Sequence, residues 1–413
     1  MRFEDYNIAP EIKENLAELG FRKPTDIQFK AIKPILDGED VLAIAQTGTG
    51  KTAAFAIPVI DMIHRQKRSN RSEYIRCIVM VPTHELAMQI TEAFHKIEKH
   101  TFTKTMGIYG GVSQDPQISA LIGGIDIIVA TPGRLFDLAS QGYLHLDKVQ
   151  TLILDEADHM LDLGFYDDIS DLIKRLPKNR QTLFFSATIN ETVKKLAYSI
   201  VSKAIRIQIA PKDRVSKNIT HSVAFIAMDH KRFFLERVVA QNPNSKIIVF
   251  VRTRVRAERV AAAMSRVNIT TVTMHGDKEQ ADRKQALDQF RNGDIRILIA
   301  TDVSARGIDI PNVDYVINYD IPDVVENYVH RVGRTGRGMQ KGIAISFCSE
   351  EEKELLQAIE EFLESPINIV DIDKNTYQET LDFTSDTGNN DWKSLIKNAE
   401  KEREAHKAKK KKR

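Results

Sequence analysis

Eight consecutive residues, Ala45-Gln46-Thr47-Gly48-Thr49-Gly50-Lys51-Thr52, have the types and spacing to hold a polyphosphate. They follow a short apolar run, Val41 to Ala45, and lead into a helical-looking segment, Ala53 to Ile63, so the strand, loop and helix context of a phosphate loop is complete. Gly48 and Gly50, with Thr47 and Thr49 between and beside them, let the backbone turn its N–H groups inward, and the helix start adds its positive dipole end. Lys51 is expected to reach the outer phosphates and the Thr52 hydroxyl a magnesium ion. Ala45 stands where the general pattern has its first glycine, so the motif is a relaxed one.

A second chemical group, Asp155-Glu156-Ala157-Asp158, comes directly after Leu152-Ile153-Leu154. Asp155 suits the metal, opposite Thr52; Glu156 suits the orientation and polarisation of an attacking water; Asp158 is free to bond elsewhere. Ser186-Ala187-Thr188 reads either as a helix cap or as hydroxyls that link the acidic strand end to whatever moves on hydrolysis. Two later clusters, Thr301 to Asp309 and His330 to Arg337, carry cations among small residues. Arg334 and Arg337 are candidates for arginine fingers that reach a γ-phosphate from across a cleft; the alternative is a surface salt-bridge loop. Upstream, Gly20 to Gln28 reads as a capped helix start, but Phe21 can stack on a base and the Gln28 amide can both donate to and accept from an adenine edge. ATP is therefore the expected nucleotide.

These groups need a scaffold. From Val41 to about Ile209, strand candidates at Cys77–Val81, Ile125–Val129, Thr151–Leu154 and Thr182–Phe185 alternate with helical patterns such as Leu86–Lys99 and Glu191–Ile200. The apolar runs are near-continuous, which predicts a buried parallel sheet with helices on both faces and ligands at the strand ends. Polar residues from Ile209 to Asn218 break the pattern as a linker. The alternation then resumes with strands at Ile247–Val251, Thr270–Met274, Ile295–Ala300, Val313–Ile317 and Gly342–Phe347. Helices are expected at Arg232–Gln241, Thr253–Arg266 and Glu279–Arg291. This half has no second glycine-rich loop, so it is expected to supply groups to a nucleotide held by the first.

At 413 residues the chain exceeds one ordinary core, and 42% hydrophobic residues can fill two. The formal charge is +2, but residues 401–413 hold eight Lys or Arg and two Glu, a net of +6 that leaves −4 for the rest. Cys77 and Cys348 each sit in an apolar run, which argues against a disulfide framework or zinc site. No apolar signal segment or bilayer-length run occurs, so no membrane partner and a reducing, cytoplasmic location are expected.

Taken together, these stretches resemble the DEAD-box ATP-dependent RNA helicases along residues 3–347, with the bacterial RhlE-like branch the nearer likeness. The resemblance implies an α/β fold of two RecA-like domains, each a mostly parallel sheet with helices on both faces, joined by a flexible linker. The boundaries that follow are 1–208, a linker at 209–218, 219–370 and a polar extension at 371–413. It implies that Phe3 and Gly20 to Gln28 form the adenine-reading segment, that Asp309 joins the nucleotide site, and that Asp158, Ser186, Thr188 and His330 couple the domains. It implies RNA contacts from Pro82, Thr83, Gly111, Thr131, Pro132, Gly133 and Arg134 in the first domain and from Arg252, Thr253, Gln280, Arg283 and Thr301 in the second. His84 departs from the arginine usual in the family, weakening a fixed positive contact or making it pH-dependent. The implied activity is RNA-stimulated ATP hydrolysis with Mg2+, coupled to local unwinding of short RNA duplexes or to remodelling of RNA–protein complexes. A monomer that works with RNA-decay or ribosome-assembly proteins is the expected setting.

Past Glu350–Leu363, an acid-rich helix, Trp392, Leu395, Ile396 and Ala399 form a helical stripe, read as docking on the second domain in preference to a partner or RNA. The basic end is expected to add salt-sensitive, non-specific RNA affinity. Two other functions compete: a DNA translocase on the same scaffold, which would not need Gly20 to Gln28, and an ATP-gated clamp on RNA, which uses the same residues but stays closed longer.

Overall fold

The computed structural model describes residues 1–46, 48–69, 71–209, 215–305, 310, 313–336 and 340–382. Seven strands make the first sheet: Val41–Ile44 (β1), Cys77–Met80 (β2), Thr105–Ile108 (β3), Ile127–Ala130 (β4), Thr151–Leu154 (β5), Gln181–Ser186 (β6) and Ile205–Gln208 (β7). All pair in parallel in the order β3-β4-β2-β5-β6-β1-β7. Seven more make the second: Ile219–Phe225 (β8), Ile247–Phe250 (β9), Val272–Met274 (β10), Ile297–Ala300 (β11), Tyr315–Asn318 (β12), Gly342–Cys348 (β13) and Asn368–Ile369 (β14). Their order, β10-β11-β9-β12-β13-β8-β14, repeats the first with each strand number raised by seven, again all parallel.

Parallel pairing requires crossovers, and the crossover helices cover both faces of each sheet. In β1, Val41 and Ala43 enter one core with Ala54, Ile57 and Phe94, while Leu42 and Ile44 enter the other with Leu135 and Leu196. The period of two that would leave an open sheet half polar is absent because each face meets a helix layer. Phe55, fully buried, sets its ring 5.1 Å from that of Phe185 edge-on, and truncating it to Ala would cost roughly 3–5 kcal/mol. The two free cysteines, Cys77 in β2 and Cys348 in β13, are both fully buried, as their apolar settings predict.

Four strands escape the sequence reading. In β7, an edge strand, only Ile207 is buried, and β14 has two exposed residues. β3 contains Gly107 and is only half covered, and β8 mixes buried Ile219, Val223 and Ala224 with polar Thr220, His221 and Ser222. Ser186 to Thr188 is not a helix cap: the helix Glu191–Ile200 is capped by Asn190, whose side chain accepts from Val193 N at 2.8 Å. The polar extension begins with a docked helix, Lys374–Asp382, whose Tyr377 ring lies 4.9 Å from that of Phe234. The stripe at Trp392, Leu395, Ile396 and Ala399 and the basic end lie outside the described residues, as does 210–214 of the expected linker. No described helix is long and apolar enough to cross a membrane.

Candidate nucleotide and nucleic-acid sites

In the first sheet β1 lies between β6 and β7, so the chain must cross over β6 and β5 to reach β2. That reversal puts the loop after β1 beside the residues that follow β5 and β6. Gly48 and Gly50 take positive φ values of 81° and 92°, and Gly50 caps the helix Lys51–Gln66. A Cβ on Gly50 would lie 2.5 Å from Gln28 Nε2, so a side chain here would displace that amide as well as strain the backbone. Thr49 Oγ1 donates to Gln46 O at 2.7 Å, and the buried Lys51 donates to Ala45 O at 3.0 Å. Thr52 is half-buried in the first helical turn. Thr47 lies outside the described residues.

Gln28 ties the upstream segment to this loop. Its Nε2 donates to Gly50 O at 3.1 Å, and its Oε1 accepts from Thr25 N at 2.9 Å in a capping box. Each end of the amide keeps one more bonding position for a ligand. Phe21 is half-buried, edge-on to Phe3 at 5.8 Å.

Asp155 and Glu156 differ although adjacent. Burial lifts the Asp155 carboxyl to about 6 against the pull of Lys51, while its Oδ1 accepts from Glu156 N at 3.0 Å. Glu156, in the left-handed region at φ 52°, is driven the other way, to about 2. Burial opposes that shift, but His159, Lys51 and Arg334 outweigh it. His159, itself buried, sets Nδ1 3.5 Å from Glu156 Oε2. Asp158 accepts from both N and Oγ1 of Thr188 at 2.9 Å, and Ser186 Oγ donates to Thr188 O at 2.8 Å. The three hydroxyl and acidic groups read as couplers are thus bonded into one chain.

The second lobe faces these groups. A cleft of about 630 Å³ has Gly48, Thr49 and Thr188 on one wall and His330, Gly333 and Thr335 on the other. Arg334, buried, donates through Nε to His330 O at 3.2 Å. Its charge is felt at Glu156 in the other lobe. Arg337 and Asp309 lie outside the described residues.

A second cavity, about 490 Å³, lies over the ends of β2 and β4, where Pro82, Gly110, Thr131, Pro132, Gly133 and Arg134 line it. Arg134 is braced by Val112 O at 3.0 Å, and Thr83 caps its helix by accepting from Leu86 N. Gly111, at φ 74°, is close enough to the second lobe that a Cβ would touch Gln280 at 3.4 Å. In that lobe Thr253 caps the next helix through Arg256 N, Thr301 Oγ1 lies 3.3 Å from Ser304 Oγ, and Arg252 is held by Ile321 O and Asp323 at 3.1 Å each.

Gln280 and Arg283, expected to hold RNA, make contacts with the first lobe. Arg283 Nη2 is 2.8 Å from Glu85 Oε1, and Gln280 bonds His84 Nδ1 at 3.2 Å and Glu85 at 3.5 Å, so both side chains bridge to the first lobe. The reason is Glu85, a carboxylate buried in a first helical turn that needs a countercharge. His159 is a site residue the sequence reading missed, and the bridging role of Glu85 was missed with it. No local spacing signals a partner 198 positions away. His84, half-buried with its ring 5.9 Å from that of Tyr109, spans the lobes through its hydrogen bond with Gln280.

Residues 25–196 match the DEAD/DEAH box helicase family model, and residues 230–339 match the helicase conserved C-terminal domain. The DEAD-box ATP-dependent RNA helicase RhpA of Helicobacter pylori is 40% identical over 371 residues, covering 90% of this chain and 74% of that protein. The chain belongs to the DEAD-box ATP-dependent RNA helicase family. Another relative of this helicase is the ATP-dependent RNA helicase RhlB of Shewanella amazonensis, 37% identical over 91% of this chain and 86% of the relative. Among solved structures, S. cerevisiae Dbp5 bound to RNA and ADP BeF3 has a TM-score of 0.81 at 30% identity, covering 92% of this chain and 98% of Dbp5. The two seven-stranded lobes of the helicase are accordingly RecA-like domains.

Proposed function

We propose that this helicase hydrolyses ATP under RNA stimulation and uses closure of its two lobes to separate short RNA duplexes or remodel RNA–protein complexes. The observation that carries the proposal is the cleft that sets Gly48, Thr49 and Thr188 of the first lobe against His330, Gly333 and Thr335 of the second, beside buried Arg334. A carboxylate poised for water and a guanidinium poised for phosphate charge meet only when the lobes meet.

In this reading Lys51 and the loop N–H groups bind the triphosphate, and Phe21 and the unused positions of Gln28 select adenine. Glu156, ionised at neutral pH and steadied by His159, orients the water; Arg334 with Arg337 stabilises the charge that develops on the phosphate. Asp309 contributes from the second lobe. Asp158, Thr188, Ser186 and His330 couple the two lobes. Asp155 and Thr52 fit a magnesium ion: Asp155 is a buried carboxylate whose pKa is raised by burial, with Glu156 adding to the rise and Lys51 opposing it. A carboxylate and a hydroxyl are oxygen donors, which suits a hard cation whose coordination is completed by phosphate and water oxygens. When bound, that ion would neutralise phosphate charge.

Pro82, Thr83, Gly111, Thr131 to Arg134, Arg252, Thr253, Gln280, Arg283 and Thr301 would grip phosphate and sugar, so sequence preference is small and the 2′-hydroxyl excludes DNA. Matched RNA and DNA strands in a single-turnover ATPase assay test this; equal stimulation by DNA overturns it. Strand displacement measured against ATP turnover separates an unwinder from a clamp. Cytoplasmic location, a monomeric state, the RhlE-like branch and the domain limits at 208, 218 and 370 complete the proposal. Limited proteolysis and light scattering test the last and the second of these.

A further inference from the structure

The lobes share one topology, so each strand of the first has a counterpart in the second. Ile44, at the end of β1, pairs with Ser186; Phe225, at the end of β8, pairs with Cys348 in the same way. Lys51 is the first residue of the helix that follows β1, and Lys231 is the first residue of the helix that follows β8. Residues 226–230 between them, Ile226-Ala227-Met228-Asp229-His230, contain no glycine and cannot wrap a phosphate. Yet Lys231 is fully buried, and its Nζ donates to Tyr319 O at 2.7 Å and to Glu352 Oε2 at 2.5 Å, with Asp320 at 3.9 Å.

Glu352 is as closely held. Its Oε2 also accepts from Ser349 N at 3.0 Å and Ser349 Oγ at 3.2 Å, and its Oε1 accepts from Ile321 N at 3.1 Å and Arg252 Nη2 at 3.3 Å. Two main-chain N–H groups, a hydroxyl, an ammonium and a guanidinium converge on one carboxylate that is 1% exposed. Such a donor set is what an oxyanion site is made of. We infer that the second lobe contains a built anion site at the position matching that of the phosphate loop, that Glu352 is its resident anion, and that a small external carboxylate enters when this side chain is removed.

Burial draws the Lys231 ammonium below its usual range, with Glu352 and Asp320 opposing. Emptying the site therefore leaves a cation that takes an anion in preference to shedding its proton. The test uses the full-length chain with Lys51→Ala, which removes the anion site of the first lobe. Thermal unfolding of Glu352→Ala is followed in sodium formate or acetate against sodium chloride at equal ionic strength. A saturable rise in midpoint of about 5 °C at high carboxylate is expected. Glu352→Gln, which fills the space, and Glu352→Ala with Lys231→Met, which removes the cation, should show only the unsaturable salt response. Equal responses in all three variants would overturn the inference. Should Glu352→Ala not fold in chloride, refolding by dilution into acetate decides the matter: recovery supports the site, and a failure to recover refutes it.

Discussion

At the ends of matching strands the two lobes carry partly the same and partly different residues. Val81 N bonds Ala130 O, and Val251 N bonds Ala300 O, both at 3.0 Å, which fixes the registry between the halves. Thr83 and Thr253 follow β2 and β9 and each caps the next helix; Thr131 and Thr301 follow β4 and β11. Nucleic-acid candidates are therefore duplicated. Nucleotide candidates are not: where the first lobe has Asp155 and Glu156 after β5, the second has Tyr319 and Asp320 after β12, committed to Lys231, Arg252 and Arg256. In the proposed function this asymmetry lets both halves hold nucleic acid while hydrolysis is confined to their boundary.

The strongest way to break this asymmetry is to remove the cation that the second lobe lends. Arg334→Ala should lower RNA-stimulated kcat about 10³-fold or more while ATP affinity of the first lobe holds; a loss under tenfold would detach the second lobe from the chemistry. Glu156→Gln should lower kcat by about 10²–10⁴-fold with ATP still bound, and retained hydrolysis would remove its role. Next comes the clasp. Arg283→Ala leaves Glu85 buried without its partner and should weaken apparent RNA affinity in the presence of ATP by roughly 10- to 100-fold, read by fluorescence anisotropy.

The adjacent acids of the first lobe sharpen the contrast through pH. Asp155 binds its proton to about 6 in the folded chain against an ordinary 3.8, so stability from this group is full below 3.8 and lost as pH rises through 6. Asp155→Asn should therefore stabilise the nucleotide-free chain by about 1–3 kcal/mol at pH 7.5 and hardly at all at pH 3.5. Glu156, lowered from 4.5 to about 2, has the opposite sign: it stabilises above 4.5 and loses that contribution as pH falls toward 2. Calorimetric melts across this range check both. The smallest effect concerns the duplicated threonines. Thr131→Val and Thr301→Val should each weaken RNA binding by about 1 kcal/mol and leave ATP binding alone. Unequal losses would mean that the matching strand ends are not equivalent.

What the sequence revealed follows from where each signal is stored. Central strands such as Ile127–Ala130 and Ile297–Ala300 are covered on both faces and read as unbroken apolar runs. Edge strands are half wet, so Ile205–Gln208 and Asn368–Ile369 carry no such run. Phosphate loop, acidic tetrad and arginine cluster were legible as patterns because each lies within a few consecutive residues. Glu85 with Arg283 and Lys231 with Glu352 were not, since each pair exists only after folding has brought distant segments together. Gln28 was legible in kind, but its bond to Gly50 O came only with the fold.

Cys77 and Cys348, one in each lobe, are sealed inside their sheets, and burial raises both thiols, that of Cys348 to about 11. Maleimide dyes should pass them by. A fluorophore pair attached at one introduced surface cysteine per lobe would then report the opening and shutting of single molecules, with neither natural sulfur replaced.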